Sequence, residues 1–126
     1  MRILLSLMLL LGAPASTMAQ DAARPRVVEV RLTNFDFTPR TIRLRAGQPV
    51  VLRLVNASGG GHNFAAPAFF EASRVTDRGA LRDGRIEVPS RQTRSVGLVP
   101  ARGTYRLRCT HTLHSPLGMR GRIVVE

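Results

Sequence analysis

The sequence predicts an all-β chain, an antiparallel β-sandwich of about seven or eight short strands carrying a short helical insertion. Three observations predict it. Apolar residues recur with a period of two in short runs, and Gly, Pro, Asn and Asp punctuate those runs at strand-like intervals. The third is size: 126 residues, 44% of them hydrophobic, suffice for one core and are too few for two.

The N-terminus is set apart from this pattern. Met1-Arg2 precedes an apolar run from Ile3 to Leu11 broken only by Ser6, and small residues follow from Gly12 to Ala19. A charged start, a short apolar core and Thr17-Met18-Ala19 before Gln20 read as a secretory signal, residues 1–19, cleaved after Ala19. The run is short for a permanent anchor. The expected product is periplasmic or secreted, with a flexible N-terminus over 20–26, one domain over 27–126 and no stable membrane span after processing.

In the mature chain Val28, Val30 and Leu32 alternate with Glu29, Arg31 and Thr33, as a half-buried strand requires. Phe35-Asp36-Phe37-Thr38-Pro39 turns the chain into Thr41 to Arg45, where Ile42 and Leu44 alternate with arginines. Ala46-Gly47-Gln48-Pro49 is a turn, and Val50 to Val55 a strong β segment ended by Asn56-Ala57-Ser58 and three glycines. After His62-Asn63-Phe64 comes a less regular region, Pro67 to Gly84, where Phe69, Phe70 and Val75 suit a helical turn or two. Strand signals return at Arg85 to Val88, Thr93 to Val99, Thr104 to Cys109 and Arg122 to Val125. The five Phe all lie between positions 35 and 70, so packing is expected to be densest there.

Composition narrows the chemistry. One Cys excludes an intramolecular disulfide and every four-thiolate zinc or iron–sulfur site, and three His exclude a large imidazole cluster. Nineteen basic residues, all Arg, stand against 8 acidic ones, a formal +11. Removing residues 1–19 takes away Arg2, so 18 Arg against 8 acids leave +10. Such a balance raises nucleic-acid binding. Export separates the chain from that partner, and the arginines are spread from Arg24 to Arg122 rather than gathered in one run. The arginines read first as a solvated basic face rather than a dedicated binding patch, with acidic partner proteins as the expected long-range targets and anionic lipid surfaces as an alternative.

The chemically informative stretch runs from Cys109 through His114 to Met119, each candidate five positions after the last. Thiolate, imidazole and thioether in one loop form a soft donor set that suits copper, and a second imidazole completes the arrangement of blue-copper sites. His62, in the glycine-rich stretch Gly59-Gly60-Gly61-His62-Asn63-Phe64, supplies it. Taken singly, each residue has a plainer reading: a buried apolar Cys, a core Met, a loop His.

Together with their surroundings these residues resemble the cupredoxins, the type 1 blue-copper proteins of azurin and plastocyanin type. The shared features are Phe37-x-Pro39-x-x-Ile42, the Ala46-Gly47 turn, Asn56 at a strand end, Gly103-x-Tyr105 leading to the Cys, and Gly118-Met119-x-Gly121 leading to the last strand. They span about Val27 to Glu126. The C-x4-H-x4-M spacing is similar to members with longer ligand loops and departs from the plastocyanin-like loop, which has two residues between Cys and His.

The resemblance implies a Greek-key sandwich and one copper ion cycling between Cu(I) and Cu(II), held by His62, Cys109 and His114, with Met119 as the long axial ligand. It implies that Asn63 and Thr110, each following a ligand, tie the two ligand loops together by hydrogen bonds. It further implies that His114 passes electrons through an apolar rim of Leu113, Pro116 and Leu117, with Ala66 and Pro67 beside it. His111 has no counterpart among the family's ligands and is read as a loop residue outside the ligand set. The function expected is that of a monomeric one-electron carrier rather than an enzyme, since a catalytic copper needs further imidazoles and a binuclear centre needs a second Cys. The alternative is copper storage, delivery or resistance without fast electron transfer; only Met119 among the methionines survives processing, which leaves no Met-rich recruitment tract.

Overall fold

A computed structural model of the chain describes residues 24–111 and 118–126, together with Gly12. The expected signal segment, Gly12 aside, and residues 112–117 lie outside the described residues. Among the described residues the strands are β1 (Arg26–Thr33), β2 (Asp36–Thr38), β3 (Thr41–Leu44), β4 (Val50–Asn56), β5 (His62–Ala65), β6 (Arg74–Asp77), β7 (Leu81–Arg82), β8 (Arg85–Val88), β9 (Thr93–Val99), β10 (Gly103–Arg108) and β11 (Arg120–Val125). One helix, α1 (Pro67–Ala72), separates β5 from β6. No described helix is long and apolar enough to cross a membrane.

The strands form the predicted two-layer sandwich, one sheet in the order β2-β1-β4-β9-β6 and the other β3-β11-β10-β5-β8-β7. Most neighbours are antiparallel, but both sheets are mixed. β1 runs parallel to β4, with Val28 opposite Leu52, and β3 runs parallel to β11, with Ile42 opposite Ile123. The connections explain this. After the β1–β2 hairpin the chain crosses to the second sheet for β3 and returns for β4, so β1 and β4 enter one sheet in the same direction.

Alternation places the core between the layers. In β4, Val50, Leu52 and Leu54 face inward while Arg53 is exposed; in β3, Ile42 and Leu44 face inward around Arg43. Leu32, Leu52, Leu98, Leu107 and Ile123 are essentially removed from water, each burial contributing about 1.5–3 kcal/mol. Phe64 is central: its ring meets Phe37 edge-on at 6.0 Å and Phe70 at 6.0 Å. Phe69 extends the cluster to Phe70 at 5.3 Å and Tyr105 at 5.5 Å. Phe35 does not join it, because it occupies the β1–β2 turn at φ 61° and stays 37% exposed.

The irregular region resolves into α1 and two short strands. Pro67 starts the helix where no amide hydrogen is missed, Phe69 and Phe70 bury its inner face, and Ser73 closes it, with its N–H and Oγ both reaching the Phe69 carbonyl. Val75 belongs to β6 rather than to the helix.

Candidate metal centre

Two sheet neighbours deliver the predicted donors. β5 lies between β8 and β10, with His62 opposite Val88, Asn63 opposite Glu87, and Ala65 opposite Arg108. Extending the β5–β10 register beyond Arg108 brings Cys109 and Thr110 alongside Phe64 and Asn63. The hydrogen bonds agree: the Asn63 N–H points to Cys109 Sγ at 3.4 Å. Cys109 is fully buried and His62 nearly so, at 2% exposure.

Met119 reaches the same end of the sandwich from the other side of residues 112–117. The Cys109 N–H donates to the Met119 carbonyl at 3.1 Å, and Met119 is fully buried. Gly118 makes this approach possible by adopting φ 99°, a region that L side chains avoid. Further along β11, Gly121 lets the chain pass against Arg40, whose carbonyl oxygen would lie 2.5 Å from an added Cβ.

Asn63 joins the two donor-bearing segments. Its Oδ1 accepts the Thr110 N–H at 2.8 Å, and its Nδ2 donates to Thr110 Oγ1 at 2.7 Å and to Glu87 Oε1 at 2.9 Å. A backbone N–H only donates and a carboxylate only accepts, so these partners fix the orientation of the amide. Glu87 also faces His111, whose Nε2 lies 3.0 Å from Oε2, and Arg85, whose Nε lies 3.6 Å from Oε1. Burial pushes the Glu87 carboxyl up, but hydrogen bonds from Asn63 and His111 and the charges of His111 and Arg85 outweigh it. The carboxyl therefore titrates below its ordinary 4.5. The His111 ring stacks on that of His62, with centroids 6.5 Å apart and planes 25° apart.

A second network holds the glycine loop before His62. Asn56 Nδ2 donates to the carbonyls of Gly60 and Val88, each at 2.9 Å, while its Oδ1 accepts the Ser58 N–H at 2.9 Å. Ser58 Oγ lies 2.7 Å from Asn56 Oδ1 and 3.0 Å from the Gly60 carbonyl, and Ser90 Oγ donates to the Ser58 carbonyl at 2.8 Å. Asn56 is thus more than a strand end; it sets the path of Gly59-Gly60-Gly61 into β5.

Of the predicted site residues, the structure brings together His62, Asn63, Cys109, Thr110 and Met119. His114, Leu113, Pro116 and Leu117 lie outside the described residues. Ala66, expected at a surface rim, is fully buried beneath the start of α1, whereas Pro67 is exposed. Glu87 and Ser58 were not singled out from the sequence. The legible trace of Glu87 is an acid at an exposed position of the strand Arg85-Ile86-Glu87-Val88, opposite a polar residue that β5 has no packing reason to carry.

Among the described residues no three His, Cys, Asp or Glu side chains form a group able to hold a metal ion. A thiol and an imidazole are nevertheless buried on adjoining segments, and Met119, also buried, meets the Cys109 N–H through its backbone carbonyl. That donor chemistry fits a soft metal ion, and the N–H aimed at Sγ stabilises negative charge on the sulfur.

The comparisons with known proteins agree with this architecture. A family model for the cupredoxin-like domain matches residues 2–125. No curated protein matches the sequence. Among solved structures, auracyanin B is similar at 25% identity and TM-score 0.61, over 80% of this chain and 88% of its own. Auracyanin A from Chloroflexus aurantiacus, a "blue" copper protein, is similar at 24% identity and TM-score 0.58, over 82% of this chain and all of its own. The McoA multicopper oxidase of Aquifex aeolicus shares the fold at 17% identity and TM-score 0.62, over 83% of this chain but 30% of its own. With the family model covering nearly the whole sequence, the chain belongs to the cupredoxin-like family.

Proposed function

We propose that the chain is an exported, monomeric one-electron carrier holding a single copper ion. The observation that supports this reading is that the segments bearing His62, Cys109 and Met119 adjoin: the Asn63 N–H reaches the cysteine sulfur, the Cys109 N–H bonds the Met119 carbonyl, and all three residues are buried. Family membership and the likeness to a blue copper protein support it. His62, Cys109 and His114 would hold the ion, with Met119 as the weak fourth ligand. When bound, copper supplies a Cu(I)/Cu(II) couple within reach of one electron.

The protein's own residues have three tasks. Cys109 would supply the sulfur ligand, and the Asn63 N–H, 3.4 Å from Sγ, would stabilise the charge of a metal-bound thiolate. Asn63, through Thr110 and Glu87, keeps the strand bearing His62 in register with the segment bearing Cys109, so the donors hold their places in either redox state. Burial of Cys109 and Met119 excludes water, and in the sequence the apolar residues Leu113, Pro116 and Leu117 flank His114.

The test is optical and EPR spectroscopy of the copper-loaded protein, alongside Cys109→Ser. An intense copper–thiolate absorption that is lost in the variant is expected; a colourless copper complex, or a spectrum unchanged in the variant, contradicts the reading. Comparing electron self-exchange with copper release separates a carrier, fast in the first and slow in the second, from a storage or delivery protein.

A further inference from the structure

We infer that the outer face of β10 and β11 is the docking surface for an acidic segment of a partner protein. This deepens the carrier reading and rests on it. The register sets Arg106 directly opposite Arg122 and Arg108 directly opposite Arg120, and all four are exposed. Opposed residues on antiparallel strands lie about 5 Å apart and alternate residues about 7 Å apart, so the guanidinium stems rise as a two-by-two array. Like charges facing each other work against a sheet, yet this pair of strands carries them twice.

Four of the other basic residues are offset by acids. Arg31, Arg40, Arg43 and Arg85 each pair with a carboxylate. Among the described residues no carboxylate forms an ion pair with Arg106, Arg108 or Arg122, and Arg122 Nε instead lies 3.4 Å from Thr41 Oγ1. Arginines without a carboxylate partner occur elsewhere among the described residues, Arg53 and Arg74 included; what marks this face is that the register of one strand pair sets arginine opposite arginine twice.

Its shape selects the occupant. Arg106, Leu107, Arg108, Arg120 and Gly121 line a cleft of about 450 Å³, which suits a protruding chain better than a flat bilayer. The large apolar residues exposed among those described, Val27 and Phe35, belong to β1 and its turn in the other sheet. An extended acidic segment repeats its same-side carboxylates every 7 Å or so, matching Arg106 and Arg108, and guanidinium binds carboxylate through two parallel hydrogen bonds. The placement also serves transfer. Arg108 immediately precedes Cys109 and Arg120 immediately follows Met119, so a partner held here lies at the end of the sheet that carries the thiol and thioether.

The experiment titrates the protein with poly-L-glutamate at low ionic strength, following amide shifts by NMR. Arg106→Gln/Arg122→Gln is compared with Arg53→Gln/Arg74→Gln, which removes the same charge from exposed positions of the other sheet. The β10–β11 variant is expected to weaken binding about tenfold and the control less than about twofold, with shifts centred on residues 106–108 and 120–122. Equal losses in the two variants, or shifts elsewhere, overturn the proposal. So does binding to phosphatidylglycerol vesicles that depends on Arg106 and Arg122 when poly-L-glutamate does not bind. A single variant, Arg106→Gln, repeats the comparison if the double variant fails to fold. The readout needs no copper, so its failure leaves the carrier reading intact, and a missing copper–thiolate band leaves the docking surface intact.

Discussion

Asn63 is the residue on which the two halves of the candidate centre depend. Asn63→Ala leaves the Thr110 N–H and the Glu87 carboxylate without their amide partner, and is expected to cost about 1–3 kcal/mol of stability by urea unfolding. A loss below about 0.5 kcal/mol would show that the bridge is dispensable. Glu87 acts with a definite sign. Its folded carboxyl titrates below 4.5, so its contribution is fully present above that pH and is lost as pH falls through the lower folded value. The stability gap between the metal-free wild type and Glu87→Gln should therefore shrink on acidification, modestly, because the side chain is 55% exposed. A gap constant across pH contradicts this. For His111, which Glu87 engages from outside the ligand set, His111→Ala should retain the copper–thiolate absorption; a bleached protein would make His111 a ligand.

At the scale of elements, the regular strands were legible because their inward positions are apolar. Val28-Val30-Leu32, Val50-Leu52-Leu54 and Ile42-Leu44 carry the period-two signal directly. β5 was not legible. Its four residues are all buried and two of them, His62 and Asn63, are polar, so a strand that builds a site reads as a loop. The other short strands escaped for different reasons: β2 sits inside a turn-rich stretch, while β6 carries an irregular register and β7 is two residues long. The candidate donors are proposed from type and spacing, and three of them, His62, Cys109 and Met119, fall among the described residues, whereas Glu87 and Ser58 emerge only once β8 and the glycine loop are folded against β5. The opposed arginines of β10 and β11 make a prediction at this scale as well. Arg106→Glu faces Arg122 with an opposite charge and should raise stability by about 0.2–1 kcal/mol in chemical unfolding, even as it weakens binding of the acidic probe. A destabilised variant would mean that the facing arginines do not repel.

For the whole molecule, the sandwich explains why so small a ligand inventory suffices. Two sheets with an apolar core hold β5 and the end of β10 in fixed register, and polar hydrogen bonds from Asn56, Asn63 and Glu87 finish the alignment where the core ends. On the proposed reading one Cys and two of the three His would serve a single mononuclear centre, and the charge excess, composed wholly of arginine, would recruit acidic partners. The most direct test of this account is a reductive titration of the copper-loaded chain from residue 20 onward, followed through its copper–thiolate absorption. The account predicts that the band disappears with one electron per chain and returns in full on reoxidation, with copper retained throughout. A band that never forms, that needs more than one electron, or that is lost together with the metal would contradict it.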